Sequence, residues 1–350
     1  MKAIVCEQPD SLKLTEQEQP AFGGGSGSGE GPFAAGPEDA IIRIRRIGIC
    51  GTDMHAYKGN QPFFQYPRVL GHELAAIVEE VGENVAGLVP GDQVSVIPYM
   101  HCGTCIACRR GKTNCCTAMQ VLGVHRDGGM RELIAVPATH LIKTDGLTLD
   151  ATAMLEPLSI GAHAVRRAEL EAGETVLVIG AGPIGLGVMA FAKHRGARVI
   201  AMDINEERLA FCKDWAGVDE TVHALQQPKE RIAELTAGEF PTVVFDATGN
   251  ARSMTDAFAL TAHGGKLVYV GLVKADIAFH DPEFHKRELT LMGSRNATRE
   301  DFDIVIEAVS SGSVNVDRLI THRSSFEGML DVFDEWLKPE SKVIKAVVEL

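Results

Sequence analysis

Long apolar runs are missing from this 350-residue sequence. No stretch of about 18 apolar residues occurs, so no membrane-spanning helix is expected. The opening segment, MKAIVCEQPD, holds no apolar core of the length a secretory leader needs. Basic residues are in deficit: 34 Lys and Arg against 47 Asp and Glu leave a formal charge of −13. Such a surface repels polyphosphates and anionic headgroups, which argues against nucleic acid or a membrane as partner. The expected compartment is the cytoplasm, where thiols stay reduced and clustered cysteines bind metal more often than they form disulfides.

Hydrophobic residues make up 45% and charged residues 23%, an ordinary globular composition. The length suits about two domains. Residues 1–160 read as β-rich, with short Ile- and Val-rich segments at 40–49, 75–82 and 93–99 separated by Gly and Pro. Residues 20–37 form a Gly-, Ser- and Pro-rich interruption, expected to be a mobile surface loop. From about 160 to 295 strands alternate with helices: strands at 174–180, 197–203, 242–248, 266–272 and 288–294, and a helix at 184–196. That alternation predicts a doubly wound parallel sheet. A helix near 299–311 and a closing strand at 342–350 are expected to pack back on the first domain. The expected division is 1–160 with 297–350, and 161–296.

The strand at 174–180 runs into Gly180-Ala181-Gly182-Pro183-Ile184-Gly185. The first glycine permits a tight turn, the second lets backbone approach a pyrophosphate, and the third allows close helix–strand packing. Asp203 follows at the end of the next strand, where it can bind a ribose hydroxyl. Its charge, with Glu206 and Glu207, disfavours a 2′-phosphate, so NAD is expected rather than NADP. Arg208 can pack over the adenosine or lie on a helix surface.

Four of the eight cysteines, Cys102, Cys105, Cys108 and Cys116, occur as C-x2-C-x2-C-x7-C. Four converging thiolates close a tetrahedron around zinc and leave no position for water, the pattern of a structural site in a lobe at about 98–118. Cys115 leaves the fourth ligand ambiguous by one position. A nucleic-acid zinc ribbon fits poorly with the acidic charge and the scarcity of aromatics nearby. A second donor set is scattered over GICGTDMH (48–55), LGHE (70–73) and MLEPLSIGAH (154–163): Cys50, His72, and Glu73 or Glu156. Mixed S, N and O donors suit a catalytic zinc, but spacing alone does not join them. Taken singly, Cys50 reads as well as a small core residue and His72 as an ordinary buried histidine.

Together C-G-T-D-x-H, G-H-E, P-G-D at 90–92, the four-cysteine lobe, L-E-P and G-A-G-P-I-G resemble the zinc-containing medium-chain dehydrogenases over nearly the whole chain. The resemblance implies a GroES-like β catalytic domain and a Rossmann NAD-binding domain with the active site in a cleft. It implies two zinc ions per chain, one held at Cys50, His72 and the carboxylates Glu73 and Glu156, which either exchange in the zinc shell or leave one acting through water. Glu156 stands where many simple alcohol dehydrogenases have cysteine, as in the sorbitol- and threonine-dehydrogenase-like branch. Thr52 and His55 match the proton relay, and Asp53 a carboxylate that orients the ligand histidine. Cofactor contacts are implied at Thr248, Gly271, Leu272, Ser294 and Arg295. Arg295 can instead bind a substrate carboxylate or form a structural pair, and His125 and Arg126 are further substrate candidates. The implied reaction is oxidation of a secondary alcohol of a sugar acid or polyol to a ketone, with L-galactonate to D-tagaturonate as the particular expectation and L-threonine as an alternative substrate. The implied assembly is a homodimer or homotetramer. Competing readings are a zinc-free relative of the same fold and a non-catalytic nucleotide-binding sensor, both separable by metal content.

Overall fold

The computed structural model describes residues 1–23, 34–61 and 64–350. The chain divides into two compact units, Met1–Glu156 with Val316–Leu350, and Pro157–Asn315.

The first unit is built on a seven-stranded sheet. Its path runs Leu141–Lys143, Gln93–Val96, Glu73–Val81, Asp39–Ile49, Lys345–Glu349 and Ile320–Ser325, with Leu133–Pro137 also paired to Asp39–Ile49. The sequence DAIIRIRRIGI favours a long strand because its isoleucines stack on a pleated surface. Ile42, Ile44 and Ile47 are buried there with Leu74, Val94 and Val96. Helix Met329–Trp336 adds Met329, Phe333 and Trp336, spaced to share one face, to the same core. Strand Asp39–Ile49 takes Glu73–Val81 along one edge. Its other edge is shared by Leu133–Pro137, opposite residues 39–43, and Lys345–Glu349, opposite residues 46–49. That register sets Gly48 against both Glu73 and Val347.

A smaller three-stranded sheet joins Ser11–Glu16, Lys2–Gln8 and Arg68–Val69. Within the expected loop at 20–37, residues 24–33 lie outside the described residues. Its flanks, Ala21–Phe22 and Ala34–Ala35, pair as a short parallel ladder.

The second unit holds a six-stranded, all-parallel sheet in the order Glu220–His223, Arg198–Asp203, Thr175–Ile179, Val243–Asp246, Lys266–Tyr269, Thr290–Gly293. Strand order reverses between Thr175–Ile179 and Val243–Asp246, which is where such sheets bind dinucleotides. The strand TVLVI is buried throughout its last four residues, as a central parallel strand covered on both faces must be. The five expected strands are all present, each shortened by one to three residues at its ends. Glu220–His223 was not expected, since ETVH carries little apolar signal.

The helix expected near 299–311 is Arg299–Ser310. Its contacts place it in the second unit, so the chain re-enters the first unit at Val316 rather than near 297. Buried Phe302 and Val305, and Asp301 bonded to His163 and Arg166, explain that assignment. Among the described residues no helix is long and apolar enough to cross a membrane.

Candidate active site

Three elements of the first unit bring the scattered donors together. Cys50 caps the short helix Gly51–Tyr57, and its backbone N–H donates to Asp53 Oδ2 at 2.9 Å. The other oxygen of Asp53 accepts from Gly71 N–H at 3.1 Å. Gly71 has φ +90°, a conformation costly for any side-chain-bearing residue, and this turn delivers His72 and Glu73 to the same place. Asp53 is fully buried and thereby stitches the two ligand-bearing segments together.

The Cys50 thiol, a His72 ring nitrogen and a Glu73 carboxylate oxygen all lie within 4.8 Å of one another. His72 Nδ1 is buried without a hydrogen-bond partner, 3.7 Å from Asp53 Oδ1. Burial opposes charge on His72, yet Asp53 and Cys50 outweigh it and hold its pKa well above the imidazole norm. One sulfur, one nitrogen and carboxylate oxygen in a buried, electronegative hollow is the donor chemistry zinc takes. The residues present therefore fit a catalytic zinc.

Two carboxylates crowd this hollow, and their partners differ. Lys345 Nζ donates to both oxygens of Glu73, at 2.6 and 2.8 Å, and to the Ile49 carbonyl at 3.2 Å. Burial disfavours a charged Lys345, but Glu73 and Cys50 outweigh it and raise its pKa. Gly48 makes room for Glu73: a Cβ at that position would sit 2.1 Å from Glu73 Oε2. Glu156 accepts a hydrogen bond from the Tyr99 hydroxyl. Burial pushes Glu156 up to about 7; Glu73 adds to the rise and His72 opposes it. Thr52 is half-buried on the Gly51–Tyr57 helix, and His55, one turn on, is exposed.

Cys102, Cys105, Cys108 and Cys116 converge with all four sulfurs within 4.8 Å, and Cys115 lies outside the group. The backbone is pre-shaped for thiolates: Cys105 N–H points at Cys102 Sγ (3.4 Å), and Cys102 and Ala118 N–H groups point at Cys116 Sγ (3.3 and 3.4 Å). Amide donors at Cys108 and Thr117 hold the Cys105 thiol well below its ordinary value. Helix Ile106–Arg109 buries nothing, and Ile106 is 58% exposed, so the lobe has no apolar core of its own.

In the second unit Gly180 has φ +97°, Gly182 caps helix Pro183–His194, and Pro183 fills its first turn. A Cβ on Gly185 would lie 1.8 Å from the Gly180 carbonyl oxygen, whereas one on Gly182 would meet nothing within 4 Å. The second glycine thus opens onto empty space above a helix N-terminus, the cradle a pyrophosphate needs. Gly180, Gly182, Asp203, Ile204, Arg208 and Thr248 line a cavity of about 1260 Å³ that begins at this turn. Asp203 is fixed there by Ala181 N–H (2.6 Å) and Asn205 N–H (2.9 Å).

Other expected contacts sit elsewhere. Gly271 and Leu272 follow the fifth strand and pack on Gly249, next to Thr248 on the cavity wall, and Ser294 and Arg295 follow the last strand. Ile184 and Gly185 form the helix start behind the cradle. His125 Nδ1 accepts from Val121 N–H within its own turn, and Arg126 is exposed. Sequence reasoning missed Lys345 and Tyr99. A lysine ahead of the apolar run Ala346–Val348 in the strand KAVVE was the available signal for the first.

Comparison with known proteins agrees with this geometry. The alcohol dehydrogenase GroES-like domain family matches residues 36–146, and the zinc-binding dehydrogenase family matches residues 183–311. The chain belongs to the zinc-binding alcohol dehydrogenases and is an oxidoreductase acting on alcohols. Within that family it is similar to L-galactonate-5-dehydrogenase of Escherichia coli K12, at 41% identity over 99% of this chain and 98% of the relative. It is 36% identical to L-idonate 5-dehydrogenase of Vitis vinifera, over 83% of this chain and 82% of the relative. Among solved structures, an alcohol dehydrogenase of Escherichia coli CFT073 complexed with NADH superposes with TM-score 0.90 at 30% identity, covering 100% of this chain and 99% of the other.

Proposed function

We propose that this protein oxidises a secondary alcohol of a sugar acid to a ketone with NAD as hydride acceptor, L-galactonate to D-tagaturonate being the particular reaction. The observation that carries the chemistry is the convergent set of half-buried Cys50 with buried His72 and Glu73, with Glu156 nearby. The sugar-acid assignment is supported by the 41% identity to L-galactonate-5-dehydrogenase.

Bound zinc supplies Lewis-acid polarisation of the substrate hydroxyl, and bound NAD takes up the hydride. Cys50, His72 and a carboxylate hold the metal, and Asp53 fixes the two loops that carry Cys50 and His72. Thr52 relays the substrate proton through its hydroxyl, and His55, exposed on the same helix, passes it to solvent. Lys345 cancels the charge of Glu73 and so limits the excess negative charge around the metal. Cys102, Cys105, Cys108 and Cys116 hold a second, structural zinc.

In the second unit the open cradle at Gly182 takes the pyrophosphate. Asp203 selects NAD: its pinned carboxylate offers ribose an acceptor and repels a 2′-phosphate, although Arg208 on the same wall tempers that repulsion. The same reading carries a homodimer or homotetramer, measurable by sedimentation.

The test is NADH formation from a panel of hexonates and polyols. Turnover is expected with L-galactonate, and Cys50→Ser is expected to remove it while the fold persists. Activity confined to polyols would reject the sugar-acid assignment, and full turnover by Cys50→Ser would reject the zinc mechanism. Asp203→Ala should weaken NAD more than NADP; an unchanged ratio removes its selective role.

A further inference from the structure

We infer that Arg126 binds the carboxylate of the substrate and thereby sets the preference for sugar acids over neutral polyols. The inference rests on the sugar-acid reading above and deepens it by naming the residue that recognises the acid group.

The backbone places Arg126 beside the mixed-donor site. Residues 121–126 form a closed turn, in which Gly123 N–H donates to the Arg126 carbonyl at 2.8 Å. The N–H groups of His125 and Arg126 both turn back to the Val121 carbonyl, at 2.8 and 3.3 Å. His125 Nδ1 takes the Val121 N–H at 3.0 Å and tightens the same turn. Gly123, at φ +73°, lies directly against Gly71, and a Cβ there would come within 3.0 Å of the Gly71 nitrogen and oxygen. The chain beyond stays on that segment: the N–H groups of Gly128, Gly129 and Met130 donate to the carbonyls of Val69, Gly71 and Leu70, at 2.7, 2.8 and 2.9 Å. Gly71 is the residue whose turn delivers His72 and Glu73. The turn carrying Arg126 therefore packs on the backbone that leads straight into the donors.

Arg126 is also an uncommitted cation. It is exposed, and among the described residues its guanidinium has no hydrogen-bond or ion-pair partner. The adjacent acid is already engaged: Asp127 Oδ1 accepts from Val69 N–H at 3.1 Å and faces Arg68 at 3.4 Å. The groups that feel Arg126 are themselves basic. Burial is the main cause that lowers the pKa of Arg131; Asp127 opposes this and Arg126 adds to it. Burial, then His101 and Arg126, hold His140 down to about 4. The hollow, by contrast, gathers Asp53, Glu73 and Glu156 around a single ammonium, Lys345. An anionic substrate entering such a site gains from a cation at its far end. A guanidinium suits that end, because it presents two parallel donors to a carboxylate. Arg295, considered for the same role, belongs to the second unit, whereas Arg126 shares the unit that holds the donors.

The experiment follows NADH formation by the full-length protein with L-galactonate and with galactitol, which carries a hydroxymethyl group in place of the carboxylate. Arg126→Gln should raise KM for L-galactonate by about 10–100-fold, the worth of a hydrogen bond to a charged group, and lower its kcat/KM relative to galactitol by about the same factor. Arg126→Lys should recover part of the loss, since it restores the charge but not the planar fork. KM for L-galactonate should rise with ionic strength in the parent and much less in Arg126→Gln. An unchanged KM for L-galactonate in Arg126→Gln, or an equal fall with both substrates, would overturn the role of Arg126 and leave the sugar-acid reading standing. A parent that turns over galactitol and no hexonate would instead sink that reading itself.

Discussion

Replacing Lys345 by Met should destabilise the first unit by about 3–5 kcal/mol, because it strands a carboxylate in the interior. The side chains of Lys345 and Glu73 are 2% and 0% exposed, so water cannot stand in for the missing partner. Opposite charges about 3 Å apart attract by roughly 5–6 kcal/mol even at an effective dielectric near 20, and that attraction offsets the desolvation of both ions. Glu73→Gln should cost about as much, for it removes the counter-charge bonded directly to the buried ammonium. The double variant removes both charges together. It loses only hydrogen bonds to one amide and one carbonyl, about 1–3 kcal/mol. The two single losses are thus expected to be strongly non-additive, with a coupling at or above the roughly 3 kcal/mol upper end usual for contacting pairs. Thermal unfolding resolves this readily: each kilocalorie should move Tm by about 2–4 °C for a unit of this size. Each single variant should then melt roughly 6–20 °C lower, and the double variant should recover part of that fall. A double variant that melts lower than either single, by the sum of their shifts, would refute the account of Lys345 and Glu73 as one neutral unit.

Gly185→Ala should force the nucleotide turn open, since its methyl would lie 1.8 Å from the Gly180 carbonyl oxygen. A strain of about 1–3 kcal/mol and at least tenfold weaker NADH binding by fluorescence titration are expected; unchanged affinity would contradict the cradle. Asp301→Asn should destabilise the second unit by about 3 kcal/mol at neutral pH. Burial alone would raise the pKa of Asp301, but hydrogen bonds from His163 and Arg166 outweigh it and hold it far below the carboxylate norm. That contribution is complete above the unfolded value, near about pH 4, and is lost as pH falls through the depressed folded value, so the gap between variant and parent should narrow only in strong acid. A gap independent of pH would show that the charge is irrelevant. Cys105→Ser, or chelation, should expose the lobe between Cys102 and Cys116 to limited proteolysis and lower Tm, because nothing apolar holds it shut. Persistent protease resistance would mean that the lobe stands without metal.

Legibility in the sequence followed how local each feature is. GAGPIG is a strand-to-helix turn made by six consecutive residues, and its φ requirements and crowding are written directly in its glycines. The four-cysteine lobe is similarly local, although only the folded chain separates Cys116 from Cys115. The mixed-donor site spans Cys50 to Lys345 and is assembled by sheet register, which spacing does not reveal. Family resemblance supplied Cys50, His72, Glu73 and Glu156, but not the partners that distinguish one carboxylate from the other. Helix Arg299–Ser310 shows a different limit. Its amphipathic pattern marks it as a helix, while its place in the second unit depends on the buried Asp301 network across more than a hundred residues of sequence.

The strand carrying Lys345 lies beyond the whole second unit in the sequence, yet it covers an edge of the strand that carries Gly48. On a translating ribosome Glu73 therefore emerges on the order of 10–60 s before its counter-ion, at about 5–20 residues per second. Throughout that interval the nascent first unit displays an unpaired strand edge and an uncompensated carboxylate, while residues 157–315 are already free to fold. The first unit therefore closes its sheet only after the whole of the second unit has been synthesised.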